Sequence, residues 1–334
     1  VAELESVDRS WFVRGAEGDP RLGSRVQAGP VRPLADGERA SATVALLGIA
    51  DDRGVVNGGG RAGASQGPRE IRRWLYKMTT GGQGELEGLR LFDLGDATPG
   101  EGGARSIEEV HALAEESIRA ALEAGARVVL LGGGHDGAYA SHSGLLRALP
   151  GDARVGAINV DAHCDVRPLR PESDCAPGER ITSGTPFRRL KERWGERYSL
   201  VEFGIQMQHN ARAQVEWARA QGWPVLELRR LREDGCEKRF ARQLASASAA
   251  ASVVAVSFDL DAVQAASAPG VSAPCPDGFS AAELYAFARA AGSDPAVRLL
   301  DVMECSPPLD EGGRTARLAA GAIWSFLAAA CEGR

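Results

Sequence analysis

The chain has no apolar run approaching the ~20 residues needed to span a bilayer, and its opening VAELESVDRS lacks the basic-then-apolar order of a secretory signal. No membrane partner is expected, and a cytoplasmic location is. Cysteine is scattered: Cys164, Cys175, Cys236, Cys275, Cys305 and Cys331 include no CxxC pair. That spacing argues against a structural zinc site or a disulfide framework and makes reduced thiols the expectation. Basic runs are also missing. The net charge of −6 comes from 45 acidic and 39 basic residues mixed along the chain, so nothing stands ready to neutralise a row of phosphates, and nucleic acid is not an expected partner. Neither GxxxxGKS/T nor GxGxxG follows the first strand, which removes the usual phosphate-cradling loops.

What is present suits one large α/β domain. The 334 residues are 44% hydrophobic with 41 glycines, a composition typical of a loop-rich globular enzyme. Residues 1–40 are rich in Gly, Pro and charge without periodicity and are expected as an N-terminal arm, with a single domain over 41–334. Eight apolar runs read as strands: 43–50, 89–94, 127–131, 155–160, 199–204, 225–228, 253–258 and 297–302. Helical patterns alternate with them, one opened by the capping box Ser106 to Glu109, another an Ala/Ser-rich stretch over 237–252. The alternation predicts a mainly parallel sheet with its site at the strand carboxyl ends.

Four of those ends carry unusual residues. NVDAHCD sets Asp161, His163 and Asp165 two residues apart at the end of a buried strand, so their side chains can converge beyond the sheet. GGGHD presents His135 after a glycine turn, with Asp136 placed to cap the next helix. SFDLD ends a third strand with Asp259 and Asp261, and the last strand delivers Glu304. Unpaired carboxylates are costly at buried strand ends, so something cationic should neutralise them. Two imidazoles with four carboxylates form a hard, oxygen-rich set that suits Mn²⁺ better than Zn²⁺ and suffices for two metals. Two such cations can hold a hydroxide near neutral pH and stabilise its attack on an unsaturated carbon, which points to a hydrolase. His111 reads as a histidine at the surface or edge of its helix, His142 and His209 as structural, and Cys164 as a thiol that could perturb the site if oxidised.

GGGHD, DAHCD and SFDLD, in this order, resemble the three metal motifs of the ureohydrolase (arginase and agmatinase) superfamily, over about residue 44 to the C-terminus. The resemblance implies a three-layer αβα fold with an eight-stranded parallel sheet, two Mn²⁺ ions and a trimer or hexamer. It assigns His135, Asp161, Asp165 and Asp259 to one ion and Asp161, His163, Asp259 and Asp261 to the other, with Asp161 and Asp259 bridging. It makes Asp165 the group that passes a proton to the leaving nitrogen, and Glu304 the partner of an amidinium or guanidinium group.

Within the superfamily, SGTPF at 183–187 (with Thr185, and Phe187 where arginases carry His), DVR with Arg167, and APGVSAP at 268–274 resemble formimidoylglutamases. The expected reaction is hydrolysis of N-formimidoyl-L-glutamate to L-glutamate and formamide. Arg167, and Arg61 in the Gly-rich loop that also carries Asn57, would meet the substrate carboxylates; each could instead serve structurally, Arg167 in a surface salt bridge. Three alternatives stand beside this one: a ureohydrolase acting on a guanidino acid or another arginine-like substrate, a mononuclear zinc deacetylase, for which six ligands are too many, and an inactive metal-binding paralogue.

Overall fold

The computed structural model describes residues 3–12, 15–34, 40–176 and 178–332. Its main sheet contains β1 (Val26–Ala28), β2 (Ala42–Ile49), β3 (Leu89–Ala97), β4 (Arg127–Leu131), β5 (Val155–Val160), β6 (Tyr198–Ile205), β7 (Val225–Glu227), β8 (Val253–Asp259) and β9 (Val297–Met303). The strands lie in the order β1-β3-β2-β4-β9-β8-β5-β6-β7, and every neighbouring pair is parallel. Parallel strands covered on both faces read as near-continuous apolar runs, and β5 and β8 are buried at every position.

Nine strands replace the expected eight. The additional one, β1, comes from the segment expected as an arm, where Val26, Gln27 and Ala28 pair with Leu91, Phe92 and Asp93. A three-residue, half-buried edge strand needs no apolar run, so no pattern announces it. Leu22, just before it, is wholly buried. Residues 1, 2, 13, 14 and 35–39 of the expected arm, and 333–334 at the other terminus, lie outside the described residues.

Helices cover both faces, giving the three αβα layers. Gly67–Leu75, Leu228–Asp234, Cys236–Ala250, Ala281–Ser293 and Arg314–Glu332 pack on one side. On the other lie Ile107–Glu123, Ala138–Arg147, Pro186–Trp194 and Arg212–Ala220. The Ala/Ser-rich helix lies close to the sheet, since a Cβ placed on Gly156 would be 3.3 Å from the Ala247 methyl. At Ile107–Glu123 the capping box forms in both directions: the Glu109 amide donates to Ser106 Oγ at 3.1 Å and the Ser106 amide to Glu109 Oε2 at 2.7 Å.

Two expectations are corrected around that helix. His111 is buried rather than on the surface, and its Nε2 lies 3.0 Å from Asp136 Oδ2. Asp136 consequently does not cap the helix Ala138–Arg147, whose N-cap makes no side-chain hydrogen bond. His142 is structural as expected, held between the Tyr198 hydroxyl at 2.8 Å and Asp301 Oδ2 at 3.0 Å.

Candidate metal centre

The strands β4, β9, β8 and β5 are consecutive in the middle of the sheet, so their carboxyl ends bring the expected residues to one place. After β4 the chain passes through Gly132, Gly133 and Gly134, where side chains have no room. A Cβ on Gly132 would fall 1.9 Å from Met303 Sδ, and one on Gly133 2.0 Å from the Asp51 carbonyl oxygen. That close approach lets His135 enter the interior. Its Nε2 lies 3.0 Å from Ser257 Oγ on β8, and Phe187 packs edge-on against its ring at 5.3 Å. With Nε2 occupied by the serine, Nδ1 is the atom turned to the carboxylates.

His135 Nδ1 lies 3.2 Å from Asp161 Oδ2, 3.0 Å from Asp165 Oδ2 and 3.0 Å from Asp259 Oδ2. His135, Asp161, Asp165 and Asp259 form one convergent group, and Asp161, His163 and Asp261 a second, each with its ligand atoms within 4.8 Å of one another. His163 Nδ1 is 3.2 Å from Asp261 Oδ2 and 3.5 Å from Asp161 Oδ1. Asp161 belongs to both groups. The resemblance also makes Asp259 a bridge; its Oδ2 faces the first group and its Oδ1 accepts the Asp261 amide at 2.8 Å, as Asp161 Oδ1 accepts the His163 amide at 2.7 Å.

This donor set fits divalent cations. His135 Nδ1 and Asp261 Oδ1 are buried without a hydrogen-bond partner, a costly state unless something else satisfies them. Octahedral bonds of about 2.1 Å put neighbouring ligand atoms roughly 3 Å apart, which is the spacing seen around His135. Without a cation the protons are displaced in the direction such crowding demands. Burial, then the neighbouring Asp261 and Asp161 charges, pushes Asp259 well up. Burial, opposed by His163 and aided by Asp161, lifts Asp261 to about 7. Burial opposes charge on His135 and is outweighed by Asp161, Asp165 and Asp259, so its pKa is raised.

Two site residues have strained backbones. Asp165 (φ 48°) and Glu304 (φ 67°) are the only non-glycine residues with positive φ among the described residues, a conformation that costs about 1–2 kcal/mol per residue and collects where geometry is imposed by function. Glu304 Oε1 accepts the His135 amide at 2.9 Å, and burial, then Asp259, raises its carboxyl pKa well above the ordinary value.

A small cavity opens over these groups, walled by His163, Asp165, Asp259, Asp261 and Glu304 on the sheet side and by Arg167, Ser183, Gly184 and Ser272 on the loop side. Arg167 is exposed, and its guanidinium makes no hydrogen bond or ion pair among the described residues, so it is not in a surface salt bridge. Gly184 makes room for it, since a Cβ there would lie 2.9 Å from Arg167 Cδ. The other expected substrate contacts lie off the cavity wall. Arg61 donates from Nε to Ser272 O at 3.1 Å and from Nη2 to Val271 O at 2.9 Å. Asn57 donates to Ile181 O at 3.0 Å, and Thr185 Oγ1 donates to Thr182 O at 2.7 Å. Cys164 is fully buried, and burial, then Glu202, pushes its thiol pKa up, which works against oxidation.

Sequence reasoning missed Ser257, a lone hydroxyl inside an apolar strand, and the serines 183 and 272, which sat unremarked within the SGTPF and APGVSAP stretches. It also missed Asn159, whose Nδ2 donates to Glu202 Oε2 at 3.0 Å and Asp161 Oδ2 at 3.2 Å.

A formimidoylglutamase of Geobacillus thermodenitrificans is 34% identical over 305 residues, covering 90% of this chain and 88% of that protein. One of Aromatoleum aromaticum is 36% identical over 301 residues, covering 84% and 81%. A crystal structure of Trypanosoma cruzi formiminoglutamase with Mn²⁺ superposes with a TM-score of 0.79 at 32% identity, over 94% of this chain and 99% of that one. The arginase family profile matches residues 42–329, the span that carries every strand of the sheet except β1 and all the convergent histidines and carboxylates, and the chain belongs to the arginase family.

Proposed function

We propose that this protein is a binuclear manganese hydrolase that cleaves N-formimidoyl-L-glutamate to L-glutamate and formamide, a step of histidine degradation, within one catalytic domain over 41–334. The single observation that carries the substrate is Arg167, a guanidinium with no partner among the described residues, on the wall of a cavity that also carries Asp165, Asp259, Asp261 and Glu304. A substrate with carboxylates at one end and an amidine at the other matches that polarity: Arg167 meets a carboxylate and Glu304 the amidinium. The names of the relatives support the same substrate.

His135, Asp161, Asp165 and Asp259 would hold one Mn²⁺, and Asp161, His163 and Asp261 the other. Bound there, the ions supply a hydroxide nucleophile near neutral pH and stabilise the charge that builds during its attack. The residues do the rest. Glu304, locked by the His135 amide and its own strained backbone, orients the amidine carbon. Asp165 takes up a proton on its carboxylate and passes it to the leaving nitrogen as the C–N bond breaks, so glutamate departs as a neutral amine. Ser183 and Ser272 offer hydroxyls along the loop wall. Arg61 and Asn57 act one step back, tying the rim loops together through backbone carbonyls, and Thr185 closes a turn within its own loop.

The second reading, a ureohydrolase acting on a guanidino acid, is favoured by one fact: with Arg61 engaged by carbonyls, Arg167 is the one unengaged guanidinium on the cavity wall among the described residues, enough for a single carboxylate. Turnover of the Mn²⁺-reconstituted protein on N-formimidoyl-L-glutamate, 4-guanidinobutyrate, arginine and agmatine, with formamide, ammonia and urea assayed separately, divides the readings. Formamide from the first substrate, abolished by Asp259→Asn, is expected. Urea from a guanidino acid would replace the substrate and keep the mechanism, whereas two bound metals with no turnover would favour an inactive paralogue. A cytoplasmic trimer or hexamer belongs to the same proposal, and light scattering after gel filtration tests the assembly; no helix among the described residues is long and apolar enough to cross a membrane.

A further inference from the structure

The second ligand group depends on a histidine that its own strand does not hold. His163 lies on the bend that follows β5, and at 20% side-chain exposure it is the least buried of the six convergent residues. The parallel pairing of β5 with β6 continues briefly past the strand. The Asp161 amide donates to Phe203 O at 3.0 Å, and the Gln206 amide to Ala162 O at 3.0 Å. There the main chain of β6 turns away through Met207–His209, and among the described residues no further backbone group bonds to the peptides around His163.

A side chain takes the place of that backbone. Asn210 Nδ2 donates to Ala162 O at 2.8 Å, and Asn210 Oδ1 accepts the Cys164 amide at 2.8 Å. The two bonds grip the residues immediately before and after His163. Asn210 is itself fixed, its Nδ2 donating also to Gln206 O at 2.8 Å. On the inner side Asn159 Nδ2 reaches His163 O at 3.4 Å, anchored on Glu202. A primary amide carries a donor and an acceptor in one plane, as a peptide does, so neither alanine nor aspartate reproduces the pair.

We propose that Asn210, whose side chain hydrogen-bonds to Ala162, Cys164 and Gln206 rather than to a ligand, is the positioning residue for the second Mn²⁺: it sets the His163 backbone so that Nδ1 meets Asp261 and Asp161, and its loss disconnects that ion while sparing the first. This rests on the two-metal reading above and is independent of the substrate. The first group contains His135, Asp165 and Asp259, none of which bonds to Asn210. Partners of this kind usually change metal affinity about 10- to 100-fold.

The test is a Mn²⁺ titration of the metal-free wild type, Asn210→Ala and the near-isosteric Asn210→Asp, read by calorimetry and by electron paramagnetic resonance. Wild type should take up two ions and show a spin-coupled pair. Both variants should bind the first ion as wild type does and the second at least about tenfold more weakly, so that an isolated-ion signal persists past one equivalent. A general loss of stability would not change the ratio of the two affinities. Equal weakening of both ions, or no weakening, overturns the role of Asn210, and so does failure of both variants to fold, which would make it a general structural residue. A wild type that binds only one ion overturns the two-metal reading as well.

Discussion

Removing the guanidinium of Arg167 should separate substrate binding from chemistry. A charge-assisted hydrogen bond contributes about 1.5–3 kcal/mol when shielded. Arg167 is exposed, so solvent screening brings this to about 1–2 kcal/mol. At 1.4 kcal/mol per factor of ten, Arg167→Ala should raise KM for N-formimidoyl-L-glutamate roughly 5- to 30-fold. Neither substrate carboxylate gains or loses charge as the amidine carbon is attacked, so the contact is equally strong in ground and transition states and kcat should stay within about threefold. Arg167→Lys keeps the charge without the fork and should fall between the two. Gly184→Ala, whose methyl would lie 2.9 Å from Arg167 Cδ, should raise KM in the same direction by less. Steady-state kinetics on N-formimidoyl-L-glutamate and on an analogue with both carboxylates amidated is the assay. If Arg167→Ala loses as much on the neutral analogue, or leaves KM unchanged on the charged one, the guanidinium does not read a carboxylate and the reasoning fails.

Ser257→Ala leaves His135 Nε2 without its partner and should weaken the first Mn²⁺ about 10- to 100-fold, measured by calorimetric titration; unchanged affinity would show that the serine does not orient the ring. Asp301→Asn disturbs the buried acceptor of Ser141 Oγ and His142 Nε2 and should cost about 1–3 kcal/mol in urea unfolding while two Mn²⁺ still bind; loss of a metal would place that network in the site. In the metal-free protein, burial lifts Asp261 from 3.8 to about 7, so the native state keeps a proton that the unfolded chain has already lost. Stability should therefore fall as pH rises from about 4 to 7. The melting-temperature gain on adding Mn²⁺ should grow over the same interval, because its ligands must be deprotonated. A metal-free melting temperature that climbs between pH 5 and 7 would contradict this.

The location of the site was readable before its shape because of a topological constraint. Strands joined by helices on the faces of a parallel sheet all run the same way, so whatever their order their carboxyl ends share one edge. An apolar strand that ends in DAHCD or SFDLD therefore places its charges on that edge, and the only question left is which strands are neighbours. Here β4, β5, β8 and β9 in the chain become the contiguous set β4-β9-β8-β5 in the sheet. What sequence could not supply are pairings made from far along the chain by residues with no anomaly of their own. Asn210 meets Cys164 across 46 positions, and His111 meets Asp136 across 25. Nor could it distinguish Arg61 from Arg167. Both are arginines on glycine-containing loops beside the same cavity, yet one spends its donors on the carbonyls of Ser272 and Val271 and the other has none to meet. That difference is set by where the 268–274 loop lies, and the loop is held in turn by the segment that follows β9, through the Ser306 amide on Gly270 O at 2.7 Å, and by the last helix, through the Gly270 amide on Thr315 Oγ1 at 2.8 Å. Substrate selection at the rim thus depends on contacts between loops, whereas the ligands at its centre follow from the strands themselves.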